Sequence, residues 1–67
     1  MDVVAETNAL EQRLRAAGVP VATMLRQAKV NSAQWQRWKG GTQVPLVTTW
    51  QRIAEAVDAM APKGEAA

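Results

Sequence analysis

An all-α domain of four short helices is what this 67-residue sequence predicts, and three observations predict it. Gly18 with Pro20, the Gly40 and Gly41 pair, and Pro45 with Pro62 cut the chain into pieces of helical length. Within the pieces apolar residues recur at intervals of three and four, and no stretch alternates with the period of a strand. There is no cysteine and no histidine, so neither a disulfide scaffold nor a thiolate or imidazole metal site can replace a packed core. That core is small, because 13 of the apolar residues are alanines. Burial must offset roughly 1.5 kcal/mol of ordering entropy per residue, which gives the three tryptophans weight beyond their number.

The elements follow in order. Helix 1 is expected from Val3 or Asn8 to Ala17, with Leu10 and Leu14 on one face, Asn8 and Glu11 at capping-box spacing and Gly18 as its stop. Pro20 suits the first turn of helix 2, where a missing N–H costs nothing. Val21, Met24, Leu25 and Ala28 then share a face, and Thr23, Arg26 and Gln27 point away. Lys29 and Val30 make a tight connection to Asn31, an N-cap residue with Gln34 three positions on, so helix 3 spans Ser32 to Lys39. Gly40 and Gly41 end it, the loop Thr42, Gln43, Val44 follows, and Pro45 sits where helix 4 can begin. Leu46, Trp50, Ile53, Val57 and Met60 recur as an apolar stripe that stops before Pro62. Residues 1–61 form the single domain, and 62–67, without apolar anchors, are expected to be a disordered tail.

Charge is distributed unevenly. Arg13, Arg15, Arg26, Lys29, Arg37, Lys39 and Arg52 all fall between Glu11 and Glu55, and no acidic residue interrupts that interval, although the net charge is only +2. A solvated surface normally mixes both signs, so this asymmetry points to a polyanionic partner, of which nucleic acid is the commonest. Two short helices joined by a three-residue turn form a helix-turn-helix, the arrangement that presents its second helix to the major groove. At about 100° per residue, Trp35 and Trp38 fall on one side of helix 3 and Ser32, Ala33, Gln36 and Arg37 on the other. The indoles belong inside. The opposite face can read bases: Gln36 pairs with adenine, Arg37 forks onto guanine or phosphate, Ser32 takes either role and Ala33 touches a thymine methyl.

Residues Met24 to Pro45, MLRQAKVNSAQWQRWKGGTQVP, resemble the helix-turn-helix core of the Cro and phage-repressor (XRE-like) family. Ala28, Val30 and Asn31 resemble the family's Ala-Gly-Val-Ser turn, QWQRWKGG its recognition helix, Gly41 and Pro45 its GxxxP spacing, and WQRIAEAV its LxxIAxxL helix. The resemblance covers about Leu10 to Met60. It implies a lambda-repressor-like fold, here without a fifth helix, and a phage or prophage transcriptional regulator that binds sequence-specific double-stranded DNA. In that frame Ser32, Ala33, Gln36 and Arg37 contact bases, and Arg15, Arg26, Lys29, Asn31, Lys39, Thr42 and Gln43 contact phosphates.

Four departures from the family pattern carry expectations. Lys29 occupies a turn position where the family prefers glycine for a left-handed backbone, which costs a side chain roughly 1 kcal/mol. Leu25 replaces a small residue where helices 2 and 3 cross, which separates them. Lys39 stands where the family often has a glutamate paired with a helix 1 arginine, so that ion pair is expected to be absent. Val21 replaces a phosphate-binding glutamine.

No stretch reaches the roughly 18 apolar residues of a membrane span. Asp2 and Glu6 stand where a signal peptide would be basic, so a cytoplasmic, nucleoid-associated protein is expected. Without histidine, cysteine, a phosphate loop or central acids, no enzyme, cofactor, metal or small-molecule substrate is expected. A monomer or a weak homodimer on DNA is expected, with Val57 and Met60 as either the last core layer or an exposed patch. The competing expectation is a protein-interaction module, an antirepressor or assembly factor, on the same helices without specific DNA binding.

Overall fold

The computed structural model describes residues 2–61, so the expected tail 62–67 lies outside the described residues. It is all-α, with α1 (Val3–Ala16), α2 (Val21–Ala28), α3 (Ser32–Lys39) and α4 (Val47–Met60), and no strand among the described residues. Among the described residues no helix is long and apolar enough to cross a membrane.

Of the two starts open for α1, the earlier one is used. The Asp2 carboxylate accepts the Ala5 N–H at 3.2 Å, and Glu6 adds a second negative charge near the positive end of the helix dipole. Val3, Thr7, Leu10 and Leu14 then continue one buried face over about three turns. Thr7 is fully buried, and its hydroxyl donates to the Val4 carbonyl at 2.9 Å, which removes the cost of enclosing it. The Asn8 and Glu11 spacing therefore lies in mid-helix and caps nothing.

α1, α2 and α3 all end in the same way, with a left-handed residue and the paired backbone bonds of a Schellman turn. In α1 the Gly18 and Val19 N–H groups donate to Arg15 and Leu14, and in α3 those of Gly41 and Thr42 donate to Trp38 and Arg37. Gly18 (φ 74°) and Gly41 (φ 79°) adopt this conformation without strain. In α2 the residue is Lys29, at φ 60° and ψ 45°, with Lys29 and Val30 donating to Arg26 and Leu25. The strained lysine expected from its place in the turn is thus present.

Three boundaries differ from expectation. Pro20 is the N-cap of α2 and not its first turn, because its ψ of 143° is extended. At α3, Asn31 Oδ1 accepts the Ala33 N–H at 2.6 Å, but Gln34 makes no reciprocal bond. At α4, Leu46 is the extended N-cap, 73% exposed, so it does not belong to the buried stripe. That stripe consists of half-buried Trp50, buried Ile53, Ala56 and Val57, and half-buried Met60. Val57 is fully enclosed, so the end of α4 is the last core layer and not an exposed patch.

Packing centres on α4 against α2 and on α1 against α3, with α1 also touching the other two; α2 and α3 are not a principal packing pair. Leu25, expected where helices 2 and 3 cross, is buried in the core. Leu14, Met24, Trp35, Ile53 and Val57 form the most enclosed part of the core. Trp35 and Trp50 lie nearly parallel with centroids 6.4 Å apart, and Trp38 meets both edge-on at 6.0 and 6.5 Å. Offset-parallel and edge-to-face pairs suit the ring quadrupoles, so the three indoles stabilise one another beyond the area they bury.

Candidate nucleic-acid interface

α3 divides as the helical angles require. Trp35 and Trp38 are 1 and 2% exposed, and Ser32, Ala33, Gln36 and Arg37 are all exposed on the opposite side. A buried indole N–H needs an acceptor, and Trp35 Nε1 donates to Glu11 Oε2 on α1 at 2.7 Å. The second oxygen, Oε1, lies 3.1 Å from Lys39 Nζ on α3. One carboxylate side chain, 14% exposed, thus holds α3 at its middle and at its C-terminal end. It fixes the rotation of α3 about its own axis, and therefore which side chains face outward.

The expected loss of a pair between a helix 1 arginine and a helix 3 glutamate does not leave this seam without an ion pair, because one of opposite polarity takes its place. The pair is present with the acid on α1 and the base on α3. It also bears on Lys39, expected as a phosphate contact: its side chain is one-third exposed and its ammonium group is already paired with Glu11. Arg13 is engaged too. Its Nη2 donates to Asp58 Oδ1 at 2.9 Å and to the Ala61 carbonyl at 2.8 Å, which ties α1 to the end of α4. Of the central cations, Arg15, Arg26, Lys29, Arg37 and Arg52 are exposed and make no ion pair among the described residues.

The other expected contacts are placed as follows. Lys29, Asn31 and Ser32 are exposed in succession at the entrance to α3. Lys29 also borders a cleft of about 310 Å³ between α2 and α4, together with Gln27, Arg52 and Glu55. Arg26 is on the outer side of α2. Arg15 borders a second cleft of about 300 Å³ beside Gly18 to Val21, on the α1 to α2 side of the molecule. Thr42 and Gln43 follow α3; the Thr42 hydroxyl donates to the Arg37 carbonyl at 3.2 Å and completes the turn. Val21 is half-buried against the core, so its side chain offers no polar contact.

The helix ends contribute as well. α2, α3 and α4 have no acidic residue in their first turns, whereas α1 has Glu6. The positive ends of three helix dipoles are thus uncompensated by carboxylates, a favourable arrangement for an anion.

Two features escaped the sequence reading. Glu11 was assigned to a cap, yet Thr7, Leu10, Glu11 and Leu14 stand at i, i+3, i+4 and i+7, spacing that marks it as part of the inward face. The other is an exposed aliphatic cluster: Val44 and Val47 lie off the helix 4 stripe, and Leu46, expected to begin that stripe, is exposed beside them. Comparisons of the chain with protein-family profiles, with curated proteins and with solved structures found no match.

Proposed function

We propose that this chain is a sequence-specific double-stranded DNA-binding protein, a small cytoplasmic transcriptional regulator of the phage-repressor kind that reads the major groove with α3. No enzymatic activity is proposed. The observation that carries the reading is the outward face of α3. Ser32, Ala33, Gln36 and Arg37 are exposed together, their side chains make no hydrogen bonds within the described residues, and two buried indoles hold them in place. These are the small, amide and guanidinium groups that match base edges. Exposed Arg26 and Lys29 precede the helix, and the helix dipole adds to the attraction for phosphate.

Selection from a random duplex pool is the direct test, with an enriched sequence as the expected result. Arg37→Ala should then lose roughly 1 to 3 kcal/mol of binding and relax preference at one base pair, without lowering the melting temperature. Equal weakening on all sequences would assign Arg37 to phosphate. Affinity should fall with salt at a log-log slope on the order of −3 to −6, and a slope near zero would exclude nucleic acid. The alternative, a protein-interaction module, draws support from exposed Val44, Leu46 and Val47. It requires Gln36 and Arg37 to be dispensable and DNA binding to be weak and sequence-blind.

A further inference from the structure

Glu11 stands four residues before Arg15 on α1, the spacing at which a glutamate and an arginine normally pair across a helix surface. The two border the same cleft, yet they form no ion pair among the described residues. Both oxygens of the carboxylate are turned toward α3 instead, one accepting the Trp35 indole N–H at 2.7 Å and the other lying 3.1 Å from Lys39 Nζ. The indole explains the choice. Trp35 is 1% exposed, so its N–H cannot turn to water, and a charged acceptor gives it a strong bond. Held there, the carboxylate presents its second oxygen to the last turn of α3, where Lys39 lies. Of the two cations on α3, Arg37 is exposed and makes no ion pair among the described residues, and the charge of Lys39 is spent inside the chain.

We propose that Glu11 is a positioning residue that separates two properties of the DNA-binding face: through Trp35 it aims α3 at the bases, and through its pair with Lys39 it withholds a cation from the backbone. The proposal rests on the reading of α3 as the DNA-binding helix. Phosphate attraction is blind to sequence, and each cation that neutralises a phosphate adds about 0.9 to the log-log salt dependence of binding. A free ammonium group at the end of α3 would be such a cation. To reach a phosphate, Lys39 must first leave a carboxylate 3.1 Å away. That carboxylate, on a side chain only 14% exposed, is then left without its counter-charge. It cannot swing out to water in exchange, because doing so orphans the buried indole N–H. The bond that orients the helix is therefore also the bond that keeps the lysine occupied. The sequence-blind part of the attraction is smaller than the number of cations implies, while the face that carries Ser32, Gln36 and Arg37 stays in register.

The test measures binding of the full chain to a selected and to a scrambled duplex over a range of salt, with thermal melting as the check on folding. Glu11→Gln keeps an oxygen for the indole N–H and gives up the charge. It should bind both duplexes about three- to tenfold more tightly at roughly 0.1 M salt, with a slope steeper by about 0.9 and the ratio between duplexes held within about twofold. Adding Lys39→Gln should return the slope to its wild-type value, which identifies the released ammonium group as the source of the gain. A slope that stays steep traces the gain to the lost carboxylate charge and overturns the withholding. Glu11→Leu frees the same lysine and drops the indole as well, so its preference for the selected duplex should fall at least about tenfold. A folded Glu11→Leu that keeps its preference overturns the positioning role. Should Glu11→Gln not fold, two variants outside Glu11 decide: Lys39→Gln should lose less than about twofold in affinity where Arg26→Gln, at an exposed cation without a partner, loses about fivefold. Equal losses overturn the proposal. A wild type that binds no duplex at any salt overturns the DNA reading and the proposal with it, whereas binding with equal slopes in the wild type and Glu11→Gln overturns the proposal alone.

Discussion

The two ends of α4 have similar composition and opposite fates. At one end Ile53, Ala56 and Val57 are buried, and Arg13 bonds the Ala61 carbonyl to close the layer. At the other, Leu46 and Val47 are more than two-thirds exposed with Val44 beside them. Aliphatic character alone does not decide which is core. The difference is the presence of neighbours: α2 packs along α4, α1 reaches its end, and the extended Pro45 to Leu46 backbone directs the first apolar side chain away from both. An apolar end left without cover in so small a domain is a loss of scarce burial, which is the physical reason to look for its partner outside the chain.

Substitutions rank the two ends. Ile53→Ala should cost about 2 to 5 kcal/mol by opening a cavity at a fully buried site, read as a large fall in the denaturant midpoint; a loss below about 1 kcal/mol would show that the core there is loosely packed. Arg13→Ala should cost about 1 to 2 kcal/mol, because its bond to the Ala61 carbonyl is partly buried and its stem covers apolar surface. The unpartnered buried Nε of Arg13 limits its net worth. Asp58, 66% exposed, supplies the weaker half, so Asp58→Ala should change stability by less than about 0.5 kcal/mol. If Asp58→Ala matched Arg13→Ala, the ion pair and not the carbonyl bond would close the layer.

A change outside α4 gives the intermediate case and the opposite sign. Lys29→Gly should raise stability by about 1 kcal/mol, since it relieves a left-handed side chain that makes no ion pair among the described residues. It should also weaken binding to a duplex through the lost cation, and a lower melting temperature would show that the Lys29 stem packs usefully in its cleft. Leu46→Ala should have the smallest effect on stability, within about 0.5 kcal/mol, as expected of an exposed position. A drop similar to that of Ile53→Ala would erase the distinction between the two ends.

The two faces of α3 were legible because they depend on local quantities. Asn31 caps, Gly40 and Gly41 terminate, and an angle of about 100° per residue separates Trp35 and Trp38 from Gln36 and Arg37 without reference to the rest of the fold. The left-handed Lys29 was legible as well, since a resemblance in the turn carries its backbone conformation. The seam behind the helix was not. Glu11 and Lys39 are far apart in sequence, and only the packing of α1 on α3 decides that one carboxylate serves both an indole N–H and an ammonium group. The list of cations available to a ligand changed for the same reason, as Lys39 and Arg13 proved to be engaged.

By itself the sequence determined four helices, their stops, the buried side of each and the outward identity of α3, because periodicity, capping and breaker residues act over a few residues at a time. Tertiary structure alone decided which apolar residues have neighbours, which charges are neutralised and where uncovered surface remains. These are properties of pairs of elements. A stripe on α4 is the same stripe in sequence along its whole length, and becomes core only where another helix lies close enough to exclude water from it.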